Sequence, residues 1–181
     1  MSEFSESYHL RSERAEDAIE ILRRAGRKGF VHPPVNGWVT FVVEDGVFEA
    51  DERIVAEASL PLLHYVSAED HGWNFTLFER GGEVASAYRC EWDDEIRADG
   101  SRYSRAALKR IVPASDAALL DDFERWLKPE EDGLDELFEA EPSKVFAMAI
   151  GLEHYEWLNY DYMAANFHES PEDYLGVIEV E

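Results

Sequence analysis

Gly37-Trp38-Val39-Thr40-Phe41-Val42-Val43-Glu44-Asp45-Gly46 aligns without a gap over Gly72-Trp73-Asn74-Phe75-Thr76-Leu77-Phe78-Glu79-Arg80-Gly81, at a spacing of 35 residues. Gly, Trp, Glu and Gly recur in register. Upstream, Val31 meets Val66, Ile19 meets Ile54 and Ala15 meets Ala50, which makes seven identities over residues 15–46. A self-match at such a period marks one supersecondary unit used twice.

The local patterns supply the unit. Ala15, Ala18, Ile19, Leu22 and Ala25 follow helical spacing, with Glu16 and Asp17 in the first turn and Arg23 and Arg24 in the last, complementing the helix dipole. Ser12 stands where a cap would, and Gly26 or Gly29 can close the helix. Gly29-Phe30-Val31 reads as a short strand cut by Pro33-Pro34, and Trp38–Val43, apolar on both faces apart from Thr40, as a strand covered on both sides. A second helix over 50–59 stops at Pro61, and strands follow at 62–67, 73–79 and 84–92, the last two joined by the hairpin turn Arg80-Gly81-Gly82-Glu83. The expected class is α+β. Two tandem helix–strand–strand units, 15–46 and 50–81, build an antiparallel or mixed sheet with helices on one side.

Beyond Asp93 the composition turns polar, and 93–105 reads as a linker. Helices are expected at 104–111, 115–127, 134–140 and 143–150, then an aromatic stretch and a terminal strand within 174–180. This predicts a sheet domain over 1–95 and an acidic helical subdomain over 96–181, packed on the sheet. A chain of 181 residues with 45% hydrophobic content has material for such a core without a disulfide, and its one cysteine, Cys90, reads as a small buried apolar group. The N-terminus lacks the basic start and apolar run of a signal peptide, and no apolar stretch approaches the roughly 20 residues that span a bilayer, so a cytoplasmic location is expected.

The net charge of −23 is uneven: residues 113–181 hold Arg125, Lys128 and Lys144 against 19 acidic residues, a net −16. Such a field repels phosphates and anionic lipid, which excludes direct nucleic-acid and membrane binding, and it attracts a basic protein. A salt-adapted host would produce the same acidity, and the 13 arginines against four lysines fit that origin too.

Signatures of chemistry are sparse. There is no Gly-x-Ser-x-Gly elbow, phosphate loop, Cys-x-x-Cys pair or His-Glu-x-x-His helix. The one metal candidate is Asp70-His71 with His64, where two imidazoles and a carboxylate could reach one ion. The structural alternative is that His71, like Asn36 in the other copy, fills a turn. Asp93-Asp94-Glu95 reads as a solvated turn. The binding candidates are aromatic: Tyr155, Trp157, Tyr160 and Tyr162, with Trp38 and Trp73 at strand starts. The expectation is a non-enzymatic, cofactor-free module that binds a basic protein, in the manner of an inhibitor or immunity protein. The rivals are a small hydrolase or ligand-binding domain using His64, Asp70, His71, His154 and Glu153 in a sheet–helix cleft, and a structural subunit of a homo-oligomer.

Overall fold

The computed structural model describes residues 2–93, 95–130 and 133–181. Its centre is an eight-stranded, wholly antiparallel sheet. In chain order the strands are β1 (Phe4–Arg11), β2 (Gly29–Val31), β3 (Trp38–Val43), β4 (Leu62–Ala68), β5 (Gly72–Phe78), β6 (Val84–Trp92), β7 (Ile96–Asp99) and β8 (Ile178–Val180), and across the sheet they run β7-β6-β5-β4-β1-β3-β2-β8. The helices are α1 (Ala15–Ala25), α2 (Glu52–Glu57), α3 (Arg105–Ile111), α4 (Ala117–Glu124), α5 (Leu134–Ala140), α6 (Pro142–Ala149) and α7 (Tyr160–Asn166), so the class is α+β. Among the described residues, no helix is long and apolar enough to cross a membrane.

Helices cover both faces of the sheet rather than one. On the first face, α1 and α2 bury Ala18, Ile19, Leu22 and Ile54 against Leu10, Val39, Phe41 and Leu62. On the second, α3 to α6 bury Leu108, Leu120, Phe123, Leu137 and Phe146 against Trp38, Tyr65, Trp73, Phe75 and Tyr88. A smaller cluster seats Met163 of α7, with Leu158, on Phe30 and Val42. The first helix begins later than expected: Arg14 is its N-cap residue, while the Ser12 hydroxyl bonds Asp17 at 2.5 Å, and Gly26 closes it in the left-handed conformation.

The order helix–strand–strand does occur twice, as α1-β2-β3 and α2-β4-β5, and residues 35 apart face the same way. Trp38 and Trp73 both enter the second-face core. The hairpins are nevertheless placed differently. β2 runs parallel in direction to β1 while β4 opposes it, and the pairing Gly29↔Val43 has the counterpart His64↔Thr76 rather than His64↔Phe78, a two-residue shift in register. The Gly-Trp pair has a local reason in each copy. Gly72 (φ 144°) has room for no Cβ, which would stand 2.3 Å from the Cys90 carbonyl oxygen, and Gly37 (φ 77°) holds a conformation that side chains disfavour.

Two strands escape the expectations from sequence. Residues 96–99 of the supposed linker form β7, paired with β6 through Trp92↔Ile96. The N-terminal segment forms β1, which lies inside the sheet between β3 and β4. Its second-face residues are Ser5, Ser7 and His9, all buried. The His9 ring bonds the Ser7 hydroxyl through Nε2 and the Thr40 hydroxyl through Nδ1, both at 2.9 Å. Most polar groups that occupy a core face are paired in this way. The chain's end, β8, returns to the sheet and pairs with β2, as the terminal strand was expected to do.

Candidate functional site

β1 and β3 part company beyond the pair Tyr8↔Phe41, while β1 continues beside β4 as far as Phe4↔Ala68. The freed edge of β1 is taken by residues 157–159. The Glu6 amide donates to the Leu158 carbonyl at 2.9 Å, the Leu158 amide to the Ser5 hydroxyl at 3.0 Å, and the Trp157 amide to the Glu3 carboxylate at 2.8 Å. Upstream, Gly151 (φ 77°) breaks away from α6, and the buried Trp38 indole N–H anchors the break by donating to the Ile150 carbonyl at 2.8 Å. Downstream, the Asn159 side chain caps α7 by accepting from the Tyr162 amide. The segment between α6 and α7 is thus fixed at both ends, and a cavity opens on each side of it.

The first cavity, about 440 Å³, lies between this segment, the end of β2 and the 173–177 turn. Tyr155, Trp157, Tyr162 and Tyr174 give it aromatic walls, Glu153, Glu156 and Asp173 give it carboxylates, and among the described residues no lysine or arginine lines it. Glu156 is engaged by Lys144 at 3.0 Å. Trp157 is 48% exposed and held at φ 51°. A left-handed backbone is a genuine outlier for so bulky a residue, and such strain gathers at functional sites. The deep wall is His32, whose ring stacks on His154 with centroids 4.4 Å apart. Burial and the neighbouring His154 press the His32 imidazole down to about 3, and burial lowers His154 as well, so both rings are neutral near pH 7.

The second cavity, about 560 Å³, fills the split between β1 and β3 under the 44–51 loop. Glu6 is its keystone. One carboxylate oxygen bonds His64 Nε2 and the other accepts the Phe48 amide, each at 2.9 Å. The Tyr8 hydroxyl accepts from the Asp51 amide at 2.8 Å, and Asp51 pairs with Arg27 at 2.5 Å. Burial, chiefly, raises the Tyr8 phenol well above its ordinary value. Replacing Glu6 by Ala strands the buried His64 ring and the Phe48 amide together. We expect a loss of about 2 kcal/mol in urea unfolding, faster amide exchange in 44–51, and recovery of most of the loss in Glu6→Gln.

Three of the aromatic residues singled out in the sequence, Tyr155, Trp157 and Tyr162, therefore meet at one cavity. Tyr160 does not join them; it packs on Phe30 at 5.3 Å and lines the second cavity. Trp38 and Trp73 are each 2% exposed, belong to the second-face core and do not line this cavity. His64 is buried on β4 at the level of Thr76, whereas Asp70 and the exposed His71 sit in the turn past Ala68, about 13 Å or more along the strand. Among the described residues no group of three His, Cys, Asp or Glu side chains could hold a metal ion. Asp94 lies outside the described residues. Sequence reading missed His32, Tyr174, Glu6 and Tyr8. The alternation Phe4, Glu6, Tyr8, Leu10 was the available signal for the last two.

Comparison with family models, with curated proteins and with solved structures finds no match to this chain.

Proposed function

We propose that the protein is a non-enzymatic binding module for a basic protein, of the inhibitor or immunity type, and that the aromatic cavity beside Trp157 is its contact surface. The observation carrying this reading is that Trp157 is exposed and backbone-strained over a cavity whose lining, among the described residues, includes carboxylates but no lysine or arginine. Aromatic faces attract cations, and more strongly once water is excluded. The net −16 of residues 113–181 adds a long-range field that speeds encounter with a basic surface and weakens with salt. Affinity capture from host lysate, run in parallel with wild type and Trp157→Ala, tests the proposal. The expected result is a basic protein held by wild type at low ionic strength, released at high salt, and lost at least tenfold by the variant. Equal retention by both forms would remove the cavity from the reading.

A small hydrolase is the second reading, favoured by the Glu6–His64 pair. A carboxylate bonded to an imidazole is the arrangement that orients a general base. It requires turnover of an uncharged ester that Glu6→Gln abolishes without unfolding the chain.

A further inference from the structure

We propose that the deep end of the aromatic cavity recognises an N–H-bearing cation, a primary ammonium or a guanidinium, through His32 Nε2, and discriminates against its fully methylated counterpart. This inference rests on the cation-binding reading above and names the chemistry of the group bound.

His32 is 6% exposed, its backbone amide donates to the Thr40 carbonyl at 2.8 Å, and its ring is stacked on His154. Its Nε2 is buried and, among the described residues, has no hydrogen-bond partner. A buried polar atom left in that state costs stability, so an occupant that supplies the missing bond is favoured over one that does not. The lining fixes the occupant's charge. Glu153 and Asp173 stand in the lining beside Glu156, which Lys144 already engages, and among the described residues no lysine or arginine lines the cavity, which favours a cation. An ammonium or guanidinium has donors and no acceptor, so it matches an imidazole that carries its proton on Nδ1 and accepts at Nε2. Burial holds the ring neutral, so one of its two nitrogens keeps a lone pair, and a donor arriving at Nε2 selects the tautomer that places it there. The walls of Trp157, Tyr155, Tyr162 and Tyr174 attract methylated and unmethylated cations alike, since cation–π attraction needs no N–H. Discrimination therefore falls to His32, with the half-buried His154 ring stacked beside it.

Calorimetric titration of the full chain at neutral pH tests this with N-acetyl-lysine methylamide, its Nζ-trimethyl derivative and n-butylamine. Wild type should bind the unmethylated lysine probe at least tenfold more tightly than the trimethyl one. His32→Phe, which keeps the ring and its stacking, should bring the first down to the level of the second and leave the second unchanged. Trp157→Ala should weaken both. The wild-type comparison alone keeps the test decisive if His32→Phe folds poorly. Equal or tighter binding of the trimethyl probe, a preference that survives in His32→Phe, or no binding of any probe each overturns the proposal. Retention of a basic protein lost in Trp157→Ala would still stand in those cases, so the two readings fail separately. Equal affinity for butylamine and the lysine probe assigns the group to a free amine, tighter binding of the lysine probe assigns it to a basic chain, and both results support the N–H chemistry.

Discussion

Acidification from pH 7 to pH 4 is expected to strip the fold of most of its stability, and the cause is two histidines rather than the carboxylates. His9 is fully buried and His32 nearly so. Burial first, with nearby histidines adding to it, holds each imidazole at about 3 against an ordinary value of 6.5. Below about pH 6.5 the unfolded chain takes up protons that the folded chain refuses. Stability is therefore intact above that value and falls as pH drops, by about 1.4 kcal/mol per pH unit for each histidine, until the folded-state value near 3 is reached. At pH 4.5 the two together amount to about 5 kcal/mol, comparable with the whole stability of many domains. The groups around them offer little relief: the His9 ring bonds the Ser7 and Thr40 hydroxyls, and His32 faces His154. Protonation of surface carboxylates relieves the repulsion of a −23 chain, but only below roughly pH 5, where those groups titrate. Urea midpoints measured from pH 7 to pH 4 at constant ionic strength should fall steadily, and in His32→Phe the slope should drop by about half. A midpoint that does not move across this range would show that the imidazoles reach water in the folded state.

These histidines also show where the sequence is readable and where it is not. Trp38–Val43, Leu62–Ala68 and Val84–Trp92 announce themselves because apolar side chains at strand spacing bury one or both faces. β1 is as deeply placed as any strand, yet its second face is Ser5, Ser7 and His9. Hydropathy reads those residues as surface, and only tertiary partners, Thr40 and the Leu158 amide among them, make them core. The same limit applies to the site. Tyr155, Trp157 and Tyr162 were visible as a dense aromatic run. Nothing in the order of residues indicates that Tyr160 turns toward the other cavity, or that His32 arrives from more than 120 residues upstream to stack on His154. The 35-residue self-match fared in an intermediate way. It reports a shared alternation of faces, which the chain encodes locally, while the side of β1 on which each hairpin pairs is decided by long-range contacts.

Truncating Phe146 to Ala should produce the largest loss of any single core substitution on the helical layer, because this ring joins that layer to the sheet. Phe146 is fully buried, stacks on Phe75 with centroids 3.9 Å apart and planes 10° apart, and approaches Phe123 at 5.2 Å and Trp73 at 6.0 Å. Removing it forfeits the transfer free energy of the ring and leaves a cavity between two layers that cannot both close on it, a cost of about 3–5 kcal/mol. The stacked pair adds to that beyond its buried area. For a chain of this size the melting temperature should fall by about 10 °C. The shape of the transition matters as much as its midpoint. Phe146 belongs to the same cluster as Tyr65, Trp73 and Tyr88, and β7 and β8, both beyond residue 95, are strands of the one sheet. The substitution should therefore shift a single transition in urea, seen identically by far-UV circular dichroism and tryptophan fluorescence, without changing its slope. A biphasic curve in which only one phase moves would mean that the sheet of residues 1–95 stands without its helical cover. The cavity beside Trp157, suspended between the end of α6 and β1, would then belong to the part that detaches.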